Sequence, residues 1–212
     1  MSGQGRTNDP EGVRRRIVDA AYEAFVQRGY LATGMLEIRD MAAVSGGAMA
    51  HHFPAKRDLG LAVIRDRVAD AVARTWIEPL DACADAPSAI DRIFAAIINE
   101  LKRKGSVSGC PLNNMAMEIA AHDAGMREAL DAVFLAWQQA LRAKFKHDVK
   151  QGRAGDLHPD RLATLVIAAY SGAIAMAKAR QNVQPLIDCR SELASLLAAH
   201  YRPGKRGGRR AD

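Results

Sequence analysis

The sequence predicts an all-α protein of about nine helices. Apolar residues recur three and four positions apart in several windows, which is the spacing of a helix face that packs against a core. Aliphatic residues dominate and aromatic residues make up only 5% of the chain, a composition that favours helix over sheet. No window alternates apolar and polar residues as a half-buried strand does, and the sequence contains no internal repeat.

Helix-breaking residues and apolar stripes order the elements of the N-terminal part. A stripe from Val13 to Phe25 ends at Gly29, a residue suited to a helix C-cap. Two short helices with a tight turn between them follow, and then a long helix that Pro79 ends. The expected helices of this part are residues 13–28, 35–42, 46–52 and 55–76.

The C-terminal part gives equally clear boundaries. A clean stripe from Ile90 to Leu101 runs into Lys102-Arg103-Lys104-Gly105, where basic residues complement the helix dipole and glycine permits a left-handed cap. Prolines open or separate the later helices, since proline suits the first turn of a helix. The expected helices are residues 87–104, 111–121, 126–151, 159–177 and a last one through 193–197.

Residues 33–56 have the layout of a helix-turn-helix, in which a first short helix braces a second whose N-terminal side chains reach DNA bases. Residues 14–59 resemble the N-terminal domain of the TetR family along their whole length. The matching positions are Ile17, Ala21, Phe25, Gly29, Tyr30, Thr33, Ile38, Ala42, Val44, Ser45, Gly47, His52, Phe53, Lys56 and Leu59. The resemblance implies a bacterial transcriptional regulator, by family default a repressor, that binds a double-stranded DNA operator as a homodimer.

The resemblance also implies the DNA contacts. The family's phosphate-contacting roles carry over to four positions: Thr33 at a helix start, Ser45 at the cap of the recognition helix, His51 beside the groove and Lys56 at the start of the next helix. Such contacts position a protein on DNA without reading its sequence. In the recognition helix, Gly47 is a further predicted DNA-binding residue, and Ala48 or Ala50 offers apolar contact to thymine methyl groups. Arg39 either supplies a charged contact to DNA or is a solvated surface residue.

Three departures from the family pattern leave a second interpretation open. Ala43 stands where glycine is common, Gly46 where a polar residue is common, and Ala50 where an aromatic residue is usual. Glycine weakens a helix by about 1 kcal/mol relative to alanine, so Gly46 and Gly47 both disfavour the recognition helix. The alternative is a ligand-binding or regulatory partner protein of TetR fold whose sequence-specific DNA binding is weak or lost.

The C-terminal part resembles that of LmrA/YxaF-like regulators in residues 109–120, 131–141 and 162–179. The resemblance implies a domain that dimerises and binds a small hydrophobic or aromatic inducer. Pockets of this kind are apolar with a few polar groups that orient the ligand. The candidate ligand-binding residues, each with core packing as the alternative, are Phe94, Ile97, Leu101, Cys110, Asn113, Asn114, Met117, Trp137 and Tyr170.

Small residues on helix 159–177 permit close approach of a second helix, which predicts a dimer interface shared with the last helix. The predicted interface residues are Leu165, Ala169, Gly172, Ala173, Met176, Leu193, Leu196 and Leu197. The alternative is that these residues form an intramolecular core. A dimer would hold two recognition helices about 34 Å apart, the spacing that a palindromic operator requires.

These boundaries divide the chain into four segments. We expect a disordered N-terminus over residues 1–11, the helix-turn-helix domain over 12–55, the ligand-binding and dimerisation domain over 56–201, and a basic disordered tail over 202–212. The formal charge of +6 says little about DNA binding, because the tail carries much of it.

Composition indicates a cytoplasmic protein with no cofactor or metal. The three cysteines are odd in number and lack the spacing of a zinc site, and the N-terminus shows no secretory signal. The longest apolar stretch, residues 162–177, is shorter than the roughly 20 residues that span a membrane. We expect no enzyme, since no nucleophile, base and orienting group stand together in a motif. Cys110 is either a thiol activated by a helix N-terminus or a packed, inert one.

Overall fold

The computed structural model describes residues 9–155 and 157–201, which form nine helices and no strand, so the predicted all-α class is confirmed. In chain order they are α1 Pro10–Arg28, α2 Met35–Met41, α3 Gly46–His52, α4 from Lys56 to Asp81, α5 Ala86–Lys104, α6 Pro111–Ile119, α7 Ala124–Lys150, α8 Pro159–Arg180 and α9 Gln184–Ala198. Helix α4 includes two π-helical turns, Ile64–Val68 and Ala73–Ile77.

Side-chain caps explain where two of the helices begin. The carboxylate of Asp9 accepts the N–H of Gly12 at 2.8 Å, so α1 starts at Pro10, inside the segment predicted to be disordered. That prediction is therefore wrong for residues 9–11, while residues 1–8 and 202–212 lie outside the described residues. In the same way Asp85 accepts the N–H of Ser88 at 2.9 Å and starts α5.

Two predicted helix ends also move. Helix α4 passes Pro79 and ends at Asp81. The π-helical turn just before Pro79 already interrupts the regular hydrogen-bond ladder, so the missing N–H of proline breaks little. Helix α8 extends to Arg180 and, among the described residues, is the one helix long and apolar enough to cross a membrane by length and composition. This is weak evidence for a span, because α8 buries one face in the protein.

The chain forms two compact units whose borders differ from the predicted domains. The first unit contains α1–α3, residues 56–71 of α4, and residues 111–133, and α1 packs on each of α2, α3, α4 and α6. The predicted border at residue 55 was therefore wrong, because the start of α4 and all of α6 belong with the helix-turn-helix. The core of this unit includes Ile17, Phe25, Ile38 and Leu59, all at most 2% exposed.

The second unit contains residues 72–110, 134–155 and 157–201 of the described chain. Helix α9 packs on both α5 and α8. A bidentate ion pair joins α5 to α9, with Arg190 Nε 2.6 Å from one carboxylate oxygen of Asp91. The largest buried side chains of this unit are aromatic and include Trp76, Phe94, Trp137 and Phe145.

Candidate functional site

Helices α2 and α3 of the first unit, each seven residues long, form the predicted helix-turn-helix. The Ser45 hydroxyl accepts the N–H of Ala48 at 3.1 Å, so Ser45 is the N-cap of α3. In the turn between the helices Ala43 adopts φ 51°, the left-handed conformation that favours glycine. The family's usual glycine at this position thus has a backbone reason, and this chain places an alanine there at some cost.

The outer face of α3 is small and carries little charge. Met49 is 5% exposed and packs inward. The exposed residues of the helix are Gly46, Gly47, Ala50 and His51. No Lys or Arg lies on α3. A DNA duplex lying along this face would meet backbone, small side chains and one imidazole.

Thr33 does not suit its predicted role at a DNA phosphate. Its side chain is 1% exposed and its hydroxyl donates to the carbonyl of Gly29 at 2.7 Å. Helix α2 is instead preceded by Gly34, so Thr33 does not cap it either. The prediction needs correcting: Thr33 satisfies a carbonyl at the end of α1 and helps to fix the turn that leads into α2.

Lys56 and Arg39, both predicted to contact DNA, bind groups of the first unit itself. The Lys56 ammonium donates to the carbonyl of Leu31 at 3.3 Å and lies 4.5 Å from the centre of the Tyr30 ring. Burial lowers the pKa of Lys56, and the carboxylate of Glu118 opposes that shift. Arg39 forms an ion pair with Asp40 at 2.6 Å.

Helix α6 and the turn after it supply two acidic groups that the sequence did not reveal. Glu118 accepts the N–H of Leu31 at 3.0 Å. Asp123 accepts from Arg57 at 2.7 Å, and this contact lowers the pKa of Asp123. The partners lie 87 and 66 residues apart in sequence, a separation that no local motif could bridge. The helix-turn-helix is thus tied to α6 by polar contacts within one unit.

In the second unit four aromatic side chains form a buried cluster of Trp76, Phe94, Trp137 and Tyr170. The Trp76 ring lies 4.7 Å from that of Trp137 and 4.9 Å from that of Tyr170, measured between ring centres. Burial raises the pKa of the Tyr170 hydroxyl well above its ordinary value, Cys110 raises it further, and a hydrogen bond with Trp76 opposes the shift. The Trp137 indole nitrogen has no hydrogen-bond partner within the described chain.

The predicted ligand-binding residues divide between the units. Three of them belong to the aromatic cluster, namely Phe94, Trp137 and Tyr170, and Cys110 lies at its edge beside Tyr170. Two more, Ile97 and Leu101, are half-buried on α5 of the same unit. Asn113, Asn114 and Met117 instead belong to the first unit. Met117 is 88% exposed, so it lines no cavity within one chain. Sequence reasoning missed Trp76, although it is one of only two tryptophans in the chain, which was a usable signal.

The predicted dimer-interface residues fall into an exposed set and a buried set. Leu165, Gly172, Met176 and Leu196 are exposed and Ala169 is half-buried on the outer side of α8 and α9. Ala173, Leu193 and Leu197 are at most 6% exposed within a single chain. The prediction needs correcting at these three positions, because helical spacing identified an apolar helix without separating its two faces.

Two family models match this chain. Residues 17–63 match bacterial regulatory proteins of the tetR family, and residues 86–192 match the C-terminal domain of LmrA/YxaF-like transcriptional regulators. The chain is also 30% identical to the transcriptional repressor DhaR of Mycobacterium sp. (strain GP1) over 82% of this chain and 86% of that protein. The chain belongs to the TetR family.

Two further relatives match this chain over most of their length. The transcriptional regulator LmrA of Bacillus subtilis is 22% identical over 87% of this chain and 96% of its own. The crystal structure of the regulatory protein TetR from Rhodobacter sphaeroides has a TM-score of 0.77 at 26% identity, covering 86% of this chain and 97% of that one. These relatives are transcriptional regulators rather than enzymes.

Proposed function

We propose that this TetR-family protein is a cytoplasmic, ligand-responsive repressor that binds a palindromic operator as a dimer and is released by a small hydrophobic or aromatic inducer. The observation that carries the proposal is the aromatic cluster of the second unit. The rings of Trp76 and Tyr170 pack against Trp137, whose buried indole N–H has no hydrogen-bond partner in the described chain, and the Cys110 thiol lies beside Tyr170. An unpaired buried donor costs about 1–3 kcal/mol, so a ligand with an acceptor group would recover that free energy by entering beside it.

The chain path offers a route from this cluster to the helix-turn-helix. Cys110, whose thiol contacts Tyr170, is followed directly by Pro111, the first residue of α6. Near its other end α6 carries Glu118, which binds the Leu31 N–H before α2. A ligand that displaces Tyr170 would move the start of α6 and change this contact, which favours a second arrangement of the recognition helices.

The exposed side of α8 and α9 is the proposed dimer surface. Leu165, Met176 and Leu196 are each at least 40% exposed there, and Gly172 has open space around its α-carbon. Apolar side chains of this size are seldom grouped on a free surface, and small residues allow helices to approach closely.

Selection of genomic DNA by the purified protein at physiological salt tests the DNA-binding half of the proposal. We expect an enriched palindrome that binds at least about a thousandfold tighter than scrambled DNA, measured by fluorescence anisotropy. An aromatic compound that quenches the tryptophan emission should weaken operator binding, and operator should weaken binding of that compound by the same factor. Enrichment without this reciprocity would leave a repressor that does not respond to the compound.

A second candidate function is a regulatory partner protein of TetR fold without a specific operator. It is favoured by the small, nearly uncharged outer face of α3 and by Lys56 and Thr33, whose polar groups bind within the protein. It predicts no enriched site and only weak DNA binding that falls steeply with salt. The same selection experiment therefore separates the two candidates.

A further inference from the structure

The second unit contains a cavity of about 600 Å³ between the C-terminal end of α4 and the C-terminal half of α7. Small-molecule sites commonly have volumes of about 300–1,000 Å³, so this cavity has the size of one. Its apolar lining includes Ile77 and Leu80 of α4 and Ala140 of α7. None of the four aromatic cluster side chains lines it, so it is separate from the ligand site proposed above.

The charged part of the lining is mainly basic. It consists of Lys144, His147 and Arg153, called the basic wall here, and of one acidic side chain, Asp81. The Lys144 ammonium, 9% exposed as a residue, donates to the carbonyl of Cys83 at 2.6 Å. Backbone carbonyls thus fix this cation at the cavity wall without neutralising its charge.

Arg153 is held in a similar way. One of its guanidinium nitrogens donates to the carbonyl of Ala84 at 2.7 Å, and its side chain remains 41% exposed. Its carboxylate neighbour is Asp148, whose nearer oxygen lies 3.7 Å away, beyond a good hydrogen bond. The other Asp148 oxygen already accepts from the N–H of Ala86 and the hydroxyl of Tyr201. Arg153 therefore lines the cavity with a side chain that is 41% exposed, while the fully buried carboxylate of Asp148 lies 3.7 Å from it.

We propose that this cavity binds an amphipathic organic anion, namely a monocarboxylate with a short apolar tail. The carboxylate binds Arg153 and His147 at the basic wall, because a planar guanidinium matches a carboxylate in geometry and charge. The tail packs against Ile77 and Leu80. The competing explanation is that Lys144 and Arg153 serve only to bind the backbone carbonyls of Cys83 and Ala84 in the loop between α4 and α5.

Alanine methyl groups can show where in the second unit an added anion binds. Ala84, Ala140 and Ala143 line the cavity, whereas Ala89 and Ala163 are buried elsewhere in the same unit. The full-length protein, labelled with ¹³C at alanine methyls, is titrated with sodium octanoate at constant ionic strength. We expect saturable shifts at the three lining methyls and much smaller shifts at the other two. Shifts centred on Ala89 and Ala163, or no saturation at the lining methyls, overturn the proposal.

Variants separate anion binding from simple filling of an apolar hole. Arg153→Gln and His147→Gln should each weaken octanoate binding, Arg153→Gln by at least about tenfold. Lys146→Gln is the matched control, since Lys146 is exposed on the same helix and does not line the cavity. If Arg153→Gln lowers stability by uncapping Ala84, His147→Gln decides alone, because His147 is exposed. Equal binding of octan-1-ol, or unchanged binding in both variants, would show that the basic wall has no ligand role.

Discussion

Each compact unit has its own buried core, but the contacts that stand out within the two units differ. In the first unit, polar contacts at the surface join helices distant in sequence, such as Arg57 to Asp123 and Glu118 to the Leu31 N–H. In the second unit, four buried aromatic rings occupy the core. Breaking an exposed polar contact costs about 1 kcal/mol or less, whereas removing a buried aromatic ring costs about 3–5 kcal/mol. Loss of one of these polar contacts should therefore lower stability less than loss of one of the buried rings.

The largest expected effect tests the aromatic core. Phe94 is 0% exposed, and Phe94→Ala should lower the free energy of unfolding by about 3–5 kcal/mol, because it removes a large apolar side chain and leaves a cavity. Urea unfolding at fixed protein concentration measures this. Leu135→Ala is the control, since Leu135 is 46% exposed in the same unit, and its loss should stay below about 1 kcal/mol. Equal losses would contradict the contrast between a rigid core and an adaptable surface.

A glycine substitution tests close packing within the first unit. A Cβ at Gly60 would lie 2.8 Å from the Tyr30 ring and would also overlap the terminal methyl of Met126. Gly60→Ala should therefore destabilise the protein by about 1–3 kcal/mol despite the better helix propensity of alanine. Gly46→Ala, which has open space, should not destabilise it. Thermal unfolding of the two variants side by side gives the comparison.

A substitution in the turn between α2 and α3 should raise the stability of the protein rather than lower it. Ala43 has φ 51°, and a left-handed conformation costs an L-residue about 1–2 kcal/mol. Ala43→Gly should stabilise the protein by up to about 1 kcal/mol, because the greater freedom of glycine in the unfolded chain offsets part of the relief. Ala50→Gly, in the exposed middle of α3, should instead cost about 1 kcal/mol. A loss of stability in Ala43→Gly would show that the turn is not strained.

The smallest effect concerns a surface ion pair of the second unit. A hydrogen bond from Arg190 lowers the pKa of Asp91, and partial burial opposes the shift. A lowered pKa in the folded state stabilises the protein above the ordinary pKa of Asp, and this contribution disappears as pH falls through the folded value. Since the side chain of Asp91 is 42% exposed, the contribution should stay below about 1 kcal/mol.

Asp91→Asn should therefore flatten the dependence of stability on pH between about pH 5 and pH 2. Urea midpoints measured across that range test it. Asp131→Asn, at an exposed position, controls for the loss of one carboxylate. If both variants keep the wild-type slope, the Arg190 contact contributes nothing to acid sensitivity.

The sequence by itself determined the family and the approximate course of the nine helices, since helical spacing and the cap at Ser45 depend on neighbours within a few residues. Ser45 caps α3 as its position predicted, and the stripe from Ile90 to Leu101 became α5. The glycine missing at Ala43 was visible as a departure from the family pattern, although only the backbone showed its left-handed φ.

Only the tertiary structure decided which polar groups remain free for a partner. Helical spacing predicts on which face of a helix a residue lies, but it does not predict which other element packs against that face. Thr33 and Lys56 matched DNA-contacting positions, yet their polar groups bind backbone carbonyls within the first unit. Leu193 was predicted at a dimer surface and packs inside one chain. Glu118 had no motif at all, because its partner is 87 residues away and the two meet only when α6 packs beside α1.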